Sequence, residues 1–382
     1  MRHVTLRPAF NETANTADIG PGTSDAVTVA QDRRRGRAAA LNKSGRFEPL
    51  ERETFDDGWD SLDALPPLKT EVQEERARTI ITRNESPDLS FDRSINPYRG
   101  CEHGCIYCFA RPSHAFMGLS PGLDFETRLF AKPNAAQLLE RELSRPGYSP
   151  RVIAIGTNTD PYQPLERHYK LMREILEVLD TYSHPVAIVT KSALVTRDVD
   201  ILSRMAERNL VKVALSVTTL DRKLCRAMEP RASAPHKRLA AIRTLSEAGI
   251  PASVMMAPVI PALTDSEIEA LLEAAADHGA SEAAFILLRL PLEVSELFRD
   301  WLLRERPDRY RHVMNLIRSM RGGKDYDAKW GERMRGRGPY ADQIAKRFSL
   351  AAKRFGLNLR RRKLNTGDFV PPQKGGVQLD LF

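Results

Sequence analysis

The residues best equipped for chemistry in this chain are Cys101, Cys105 and Cys108, spaced C-x3-C-x2-C and accounting for three of its four cysteines. Thiolates are soft ligands, and softness selects zinc, copper(I) or an iron–sulfur cluster. Gly100 and Gly104 sit among them and allow the positive φ that a loop wrapped round a metal centre needs. A closed zinc site takes four ligands, so His103 or His114 would have to complete it. A 4Fe–4S cluster commonly takes four cysteines; held by three, it leaves one iron open to a ligand that is not protein. A disulfide framework fits poorly, because three thiols cannot pair off and the first dozen residues lack the apolar core of a secretory signal.

Elements able to hold such a loop follow from the apolar pattern. Short continuous apolar runs recur at 94–98, 152–156, 185–189, 211–217, 251–256 and 282–288. Buried parallel strands read this way, without alternation. Helical spacing separates them at 134–144, 165–181, 197–208, 237–248 and 265–276, and follows them at 293–304. Six strands alternating with helices predict an α/β fold with a parallel sheet. Residues 79–82 read as a further short strand and 123–132 as an extended arm.

The cysteine spacing, with Tyr107 in the aromatic slot, resembles the signature C-x3-C-x-aromatic-C of the radical S-adenosylmethionine (SAM) superfamily. The wider run N-P-Y-x-G-C-x-H-x-C-x-Y-C-F-A-R is similar to the branch that contains spore photoproduct lyase and related repair proteins. The resemblance covers about 83–289. It implies a partial (β/α)6 TIM-like barrel with chemistry at the C-terminal strand ends. It implies that Cys101, Cys105 and Cys108 hold three irons of a 4Fe–4S cluster, while the amino and carboxylate groups of SAM chelate the fourth. An electron from a donor such as flavodoxin or ferredoxin would then split SAM into methionine and a 5′-deoxyadenosyl radical.

Within that frame Tyr107, Thr159, Lys191 and Ser216 are the expected SAM contacts. Lys191 ends the third strand and could pair with the SAM carboxylate. Residues 258–261 could wall off the adenine. Met228-Glu229-Pro230-Arg231 and Arg238 resemble a loop of the same branch that faces SAM or substrate. One departure stands out: the lyase type keeps a hydrogen-donating cysteine beside the segment of Thr159, where this chain has Gly156 and Thr157. Tyr98 or Tyr162 could serve as radical relays instead, and Cys225 reads as a small buried hydrophobe.

The 382 residues divide on this reading into an arm, largely disordered, at 1–89, a core at 90–305, a basic helical extension at 306–365 and a flexible tail at 366–382. Residues 310–320 and 340–355 are the extension's helical stretches. Phe47, Phe55 and Trp59 could pin the arm to the barrel. The net charge of +8 is uneven: residues 304–363 carry 19 Lys/Arg against 6 Asp/Glu, so the rest is slightly acidic. Such a footprint suggests a nucleic-acid partner, with DNA favoured. Residues 33–37 add a small basic cluster. No stretch is apolar for long enough to span a membrane, and clustered free thiols suit a cytoplasmic, reducing compartment. The last five residues resemble the peptide by which bacterial proteins bind the DNA polymerase sliding clamp. There Leu379, Leu381 and Phe382 would fill an apolar pocket beside Gln378. Together these features point to a radical SAM enzyme acting on DNA. The alternatives are an enzyme acting on RNA or a protein, and a zinc-stabilised nucleic-acid adaptor without enzymatic activity.

Overall fold

Six apolar runs have nowhere to bury two hydrophobic faces except in a sheet covered by helices, and that is how they pair. The computed structural model describes residues 28–48, 67–360 and 362–372, with the short strands Leu6–Pro8 and Leu50–Arg52 beyond them. The main sheet has seven strands: β1 (Ile81–Arg83), β2 (Arg93–Ile95), β3 (Ile153–Ile155), β4 (Val186–Thr190), β5 (Val211–Ser216), β6 (Ala252–Val259) and β7 (Glu282–Leu287), ordered β7-β6-β5-β4-β3-β2-β1. Strands β2 to β7 run parallel, while β1 lies antiparallel on β2 with Ile81 opposite Ile95. Register is kept by apolar partners, such as Val186 with Val211 and Val213 with Ala252. The C-terminal ends of the six parallel strands therefore share one rim. This is the partial TIM-like barrel that the sequence resemblance implies.

The outer helices are α1 (Ala135–Leu143), α2 (Leu171–Thr181), α3 (Val199–Glu207), α4 (Pro235–Glu247), α5 (Ile268–Asp277) and α6 (Glu293–Glu305). In α2 the buried residues Met172, Ile175, Leu176 and Leu179 make one stripe at helical spacing against the sheet. Pro235 opens α4 at a position where its missing N–H costs nothing. Two expectations need adjustment. The helical stretch at 165–181 is broken at Lys170, whose φ is +54°, into Glu166–Tyr169 and α2. The extended arm at 123–132 starts as a helical turn, Asp124–Thr127, in which the Thr127 hydroxyl donates to the Leu123 carbonyl at 2.8 Å. Only Arg128–Ala131 is a strand, paired between Glu71–Glu74 and Tyr98–Arg99 in a small second sheet.

Both flanking regions are tied to the barrel more closely than their composition suggests. In the arm expected to be disordered, Ala38, Ala39, Ala40 and Leu41 are buried. The buried Glu126 carboxylate accepts from the backbone N–H groups of Ala38 and Ala39 at 3.2 and 3.1 Å. The basic extension contains α7 (Tyr310–Ser319) and α8 (Pro339–Arg354). Phe348 of α8 meets Phe285 of β7 at 4.7 Å between ring centroids, and Arg347 forks onto Glu269 of α5 at 2.6 and 2.8 Å. The Asn358 side chain pairs with both backbone groups of Ala283 at 2.9 Å, and the Leu287 N–H donates to the Met334 carbonyl at 2.9 Å. These contacts cover strand β7, whose unpaired edge would otherwise be open to pairing with another chain.

Candidate active site

The cysteine loop leaves β2 at the shared rim. Arg111, with 0 % of its surface exposed, fixes the loop from beneath. Its Nε donates to the Cys105 carbonyl at 2.9 Å, Nη2 to Gly104 at 3.1 Å and Nη1 to Gly122 and Pro121 at 2.9 and 3.1 Å. Nη2 also meets the Glu126 carboxylate at 2.5 Å, so all five donors of this guanidinium are used. Gly104 has φ +63°, and a Cβ there would stand 2.7 Å from a Glu126 oxygen. Glu126 thus ties the cysteine loop, through Arg111, to the buried part of the arm. On the other side Ile106 N–H donates to the Met228 carbonyl at 3.0 Å.

Two further carboxylates set the electrostatics. Glu229, in the loop expected to face SAM or substrate, is buried instead beneath the aromatic of the motif. It accepts from the Tyr107 hydroxyl, from the Thr218 hydroxyl at 2.7 Å and from the buried Arg238 guanidinium. Arg238 also donates to the Ser216 carbonyl at 2.8 Å, which links this cluster to the end of β5. Cys225 is more than a packed hydrophobe: its Sγ lies 3.5 Å from both Glu229 and Arg238. Asp160 faces the opposite side of the loop. Its carboxylate accepts from Thr190 at 2.6 Å and from Lys191 N–H at 2.7 Å, and stands 3.3 Å from His103 Nδ1. Burial alone would lower the pKa of His103, but Asp160 and Cys101 outweigh it and raise it to about 10. Burial also pushes the Cys105 and Cys108 thiols above their ordinary range. Bound metal inverts that penalty, because a coordinated thiol loses its proton to the ion's charge.

Above the loop the strand ends enclose a chamber of about 680 Å3. Of the expected site residues, Cys105, Cys108, Tyr107, Lys191 and Ser216 line it. Lys191 Nζ sits 5.8 Å from the Tyr107 ring centroid and donates to the Ala257 carbonyl at 3.3 Å. Thr159 does not line the chamber; its buried hydroxyl donates to the Tyr98 carbonyl at 3.1 Å. Gly156, Thr157 and Asn158 take that stretch of wall. A side chain at 156 is blocked, since a Cβ there would lie 1.9 Å from the Val189 carbonyl oxygen. Of the two candidate relays, Tyr98 reaches the chamber with its hydroxyl held by Glu166, whereas Tyr162 is buried on Asp198 at 3.0 Å. Gln378, Leu379, Leu381 and Phe382, like Phe55 and Trp59, lie outside the described residues. Sequence reasoning missed a wall: Arg289, Arg333 and Met334 line the chamber, so the C-terminal extension contributes to it. Arg333 reaches Asp88 at 2.5 Å, and Gly331 N–H donates to Asp88 at 2.7 Å. This strap joins the segment after β1 to the extension across the barrel's open side.

The donor set fits the cluster expected of the motif. Three thiols lie on one locked loop at the rim, beside a chamber with a lysine ammonium. Among the described residues no three His, Cys, Asp or Glu side chains gather round a single ion position. Comparison with known proteins agrees: residues 95–275 match the radical SAM superfamily model. The chain belongs to the radical SAM superfamily and is an enzyme whose cofactors are a 4Fe–4S cluster and SAM.

It is 40% identical over 230 residues to an uncharacterised protein of Mycobacterium tuberculosis, covering 59% of this chain and 68% of that one. An uncharacterised protein of Methanocaldococcus jannaschii is 29% identical over 199 residues, or 52% of this chain and 71% of that one. Among solved structures, spore photoproduct lyase complexed with dinucleoside spore photoproduct matches with TM-score 0.53 at 16% identity, covering 75% of this chain and 80% of that chain. The same lyase with bound AdoMet matches equally, at TM-score 0.53 and 16% identity. That likeness is one of fold. No helix among the described residues is long and apolar enough to cross a membrane.

When bound, the cluster and SAM supply reductive cleavage of SAM and abstraction of a hydrogen atom. The chain's share is to bind, orient and exclude water. Arg111 and Glu126 fix the cysteine backbone, Glu229 fixes the Tyr107 ring, and Lys191 brings a positive charge to the wall.

Proposed function

We propose that this enzyme acts on nucleic acid, with DNA first, in repair or base modification. Cys101, Cys105 and Cys108 hold the cluster; Tyr107, Lys191 and Ser216 contact SAM, with Thr159 supporting that wall through the Tyr98 carbonyl. The observation that carries the nucleic-acid reading is the Arg289 guanidinium on the chamber wall, beside the Arg333–Asp88 pair, on a chain whose positive charge is concentrated at 304–363. The fold it shares with spore photoproduct lyase supports the same direction. The route by which that lyase type returns hydrogen is not supported here, because Gly156 leaves no room for a side chain and Cys225 lies off the chamber.

A second function belongs to the tail. Gln378, Leu379, Leu381 and Phe382 bind a bacterial DNA polymerase sliding clamp, which would place the enzyme at newly made DNA. Anaerobic incubation with reductant, SAM and DNA should release 5′-deoxyadenosine above the DNA-free level. Deleting 378–382 should abolish clamp capture and leave SAM cleavage intact. Stimulation by tRNA or a peptide, but not by DNA, would move the substrate to RNA or protein.

A further inference from the structure

The chamber holds a feature that SAM binding does not explain. Phe109 follows the last cysteine directly, lines the chamber and keeps 44 % of its surface exposed. The Arg289 guanidinium lies over this ring at 4.9 Å from its centroid. Arg289 donates to Tyr326 through Nη2 at 3.3 Å, while its Nε is buried without a partner among the described residues. Asn84 and Phe91 line the same chamber, with the Asn84 amide donating to the Phe91 carbonyl at 3.1 Å. At the strap Trp330 is 60 % exposed in the run Lys329-Trp330-Gly331-Glu332-Arg333-Met334-Arg335-Gly336-Arg337, which carries four basic residues and one acid beside that ring.

We propose that Phe109 and Arg289 form the seat for one unpaired nucleotide, whose base stacks on the Phe109 face while its phosphate meets Arg289 and the strap. This inference rests on the nucleic-acid reading above and sharpens it: the substrate is a single-stranded or everted nucleotide, not a paired one. Every base has a π-face, so an open phenyl ring accepts any of them, and guanidinium supplies both charge and stacking. A base inside a duplex cannot reach a ring recessed among strand ends, so it must leave its stack first. A peptide aromatic would find the ring but would leave Arg289 without an anion.

The test uses the anaerobically reconstituted full chain and 11-nucleotide single strands, DNA and RNA, with 2-aminopurine at the centre. Wild type should bind them at 50 mM salt, quench the probe by stacking, and bind the matching duplex at least tenfold more weakly. F109A should weaken binding about tenfold to a hundredfold and restore the probe's fluorescence. F109W should retain both binding and quenching, which a merely structural role for the ring would not favour. R289M should weaken binding and flatten its dependence on salt by about one phosphate contact. Normal iron content in each variant shows that the loop has folded. If wild type binds but F109A binds and quenches equally well, the seat is wrong while the nucleic-acid reading stands. If wild type binds neither strand nor duplex and instead takes a peptide, both fall.

Discussion

Glu126 is the joint on which the cysteine loop and the arm both depend, and Glu126→Ala is the sharpest test of that reading. Its carboxylate is wholly buried and neutralises Arg111, itself wholly buried. Losing one partner of a buried, hydrogen-bonded pair leaves an uncompensated charge, at a cost of roughly 3–5 kcal/mol. Two backbone N–H groups, of Ala38 and Ala39, lose their acceptor as well. Detachment of the arm would let water satisfy them, so their share is partly recovered and the total stays near 4 kcal/mol, roughly, the middle of that range. Glu126→Gln keeps an acceptor but not the charge, and should cost about half as much. Urea unfolding of the cluster-free protein measures the loss, and brief trypsin treatment reports the arm through cleavage at Arg33, Arg34, Arg35 and Arg37. Both variants should also load less iron, because Arg111 would release the Cys105 and Gly104 carbonyls. A loss below about 1 kcal/mol in Glu126→Ala, with the arm still resistant to trypsin, would refute the argument.

Other outcomes follow from the same geometry. Alanine at Cys101, Cys105 or Cys108 should abolish both iron loading and SAM cleavage, with little change in circular dichroism. Gly156→Cys should fail to fold or unfold at much lower urea, since its Cβ would meet the Val189 carbonyl at 1.9 Å, whereas Thr157→Cys should fold and react with a small thiol reagent from the chamber. Burial lowers the pKa of His184 to about 4, with the Tyr148 hydroxyl 2.8 Å from Nε2. Its folded value lies below the unfolded one, so its stabilisation is present above pH ~6.5 and is lost as pH falls toward 4, by roughly 3 kcal/mol in total. Urea midpoints between pH 7 and 4 should show that loss, and His184→Gln should lack it. Asn358→Ala should cost about 1–2 kcal/mol by baring the Ala283 N–H and carbonyl on β7.

Much of the core was legible because its signals are local. Six apolar runs became six parallel strands, and the cysteine motif announced itself by spacing. What stayed hidden depends on long-range pairing. Nothing in Ala38-Ala39-Ala40 tells of a carboxylate 88 residues away, so the arm reads as loose although Glu126 holds it. Glu229 looks like a ligand-facing acid in sequence; only the fold shows that Tyr107, Thr218 and Arg238 consume it. The extension was read from composition as a basic surface, yet Met334 pairs with β7 and Arg333 enters the chamber wall. Thr159 and Thr157 are two residues apart and chemically alike, and the turn at Gly156 decides which of them faces the chamber.

The bond between Asp88 and Arg333 joins positions separated by 245 residues, and Met334 is a wall of the chamber. A ribosome makes Cys101, Cys105 and Cys108 long before it makes that wall. The thiol-bearing rim is therefore complete in the chain before the residues that wall its chamber exist, and a chain cut before Gly331 would leave that wall missing.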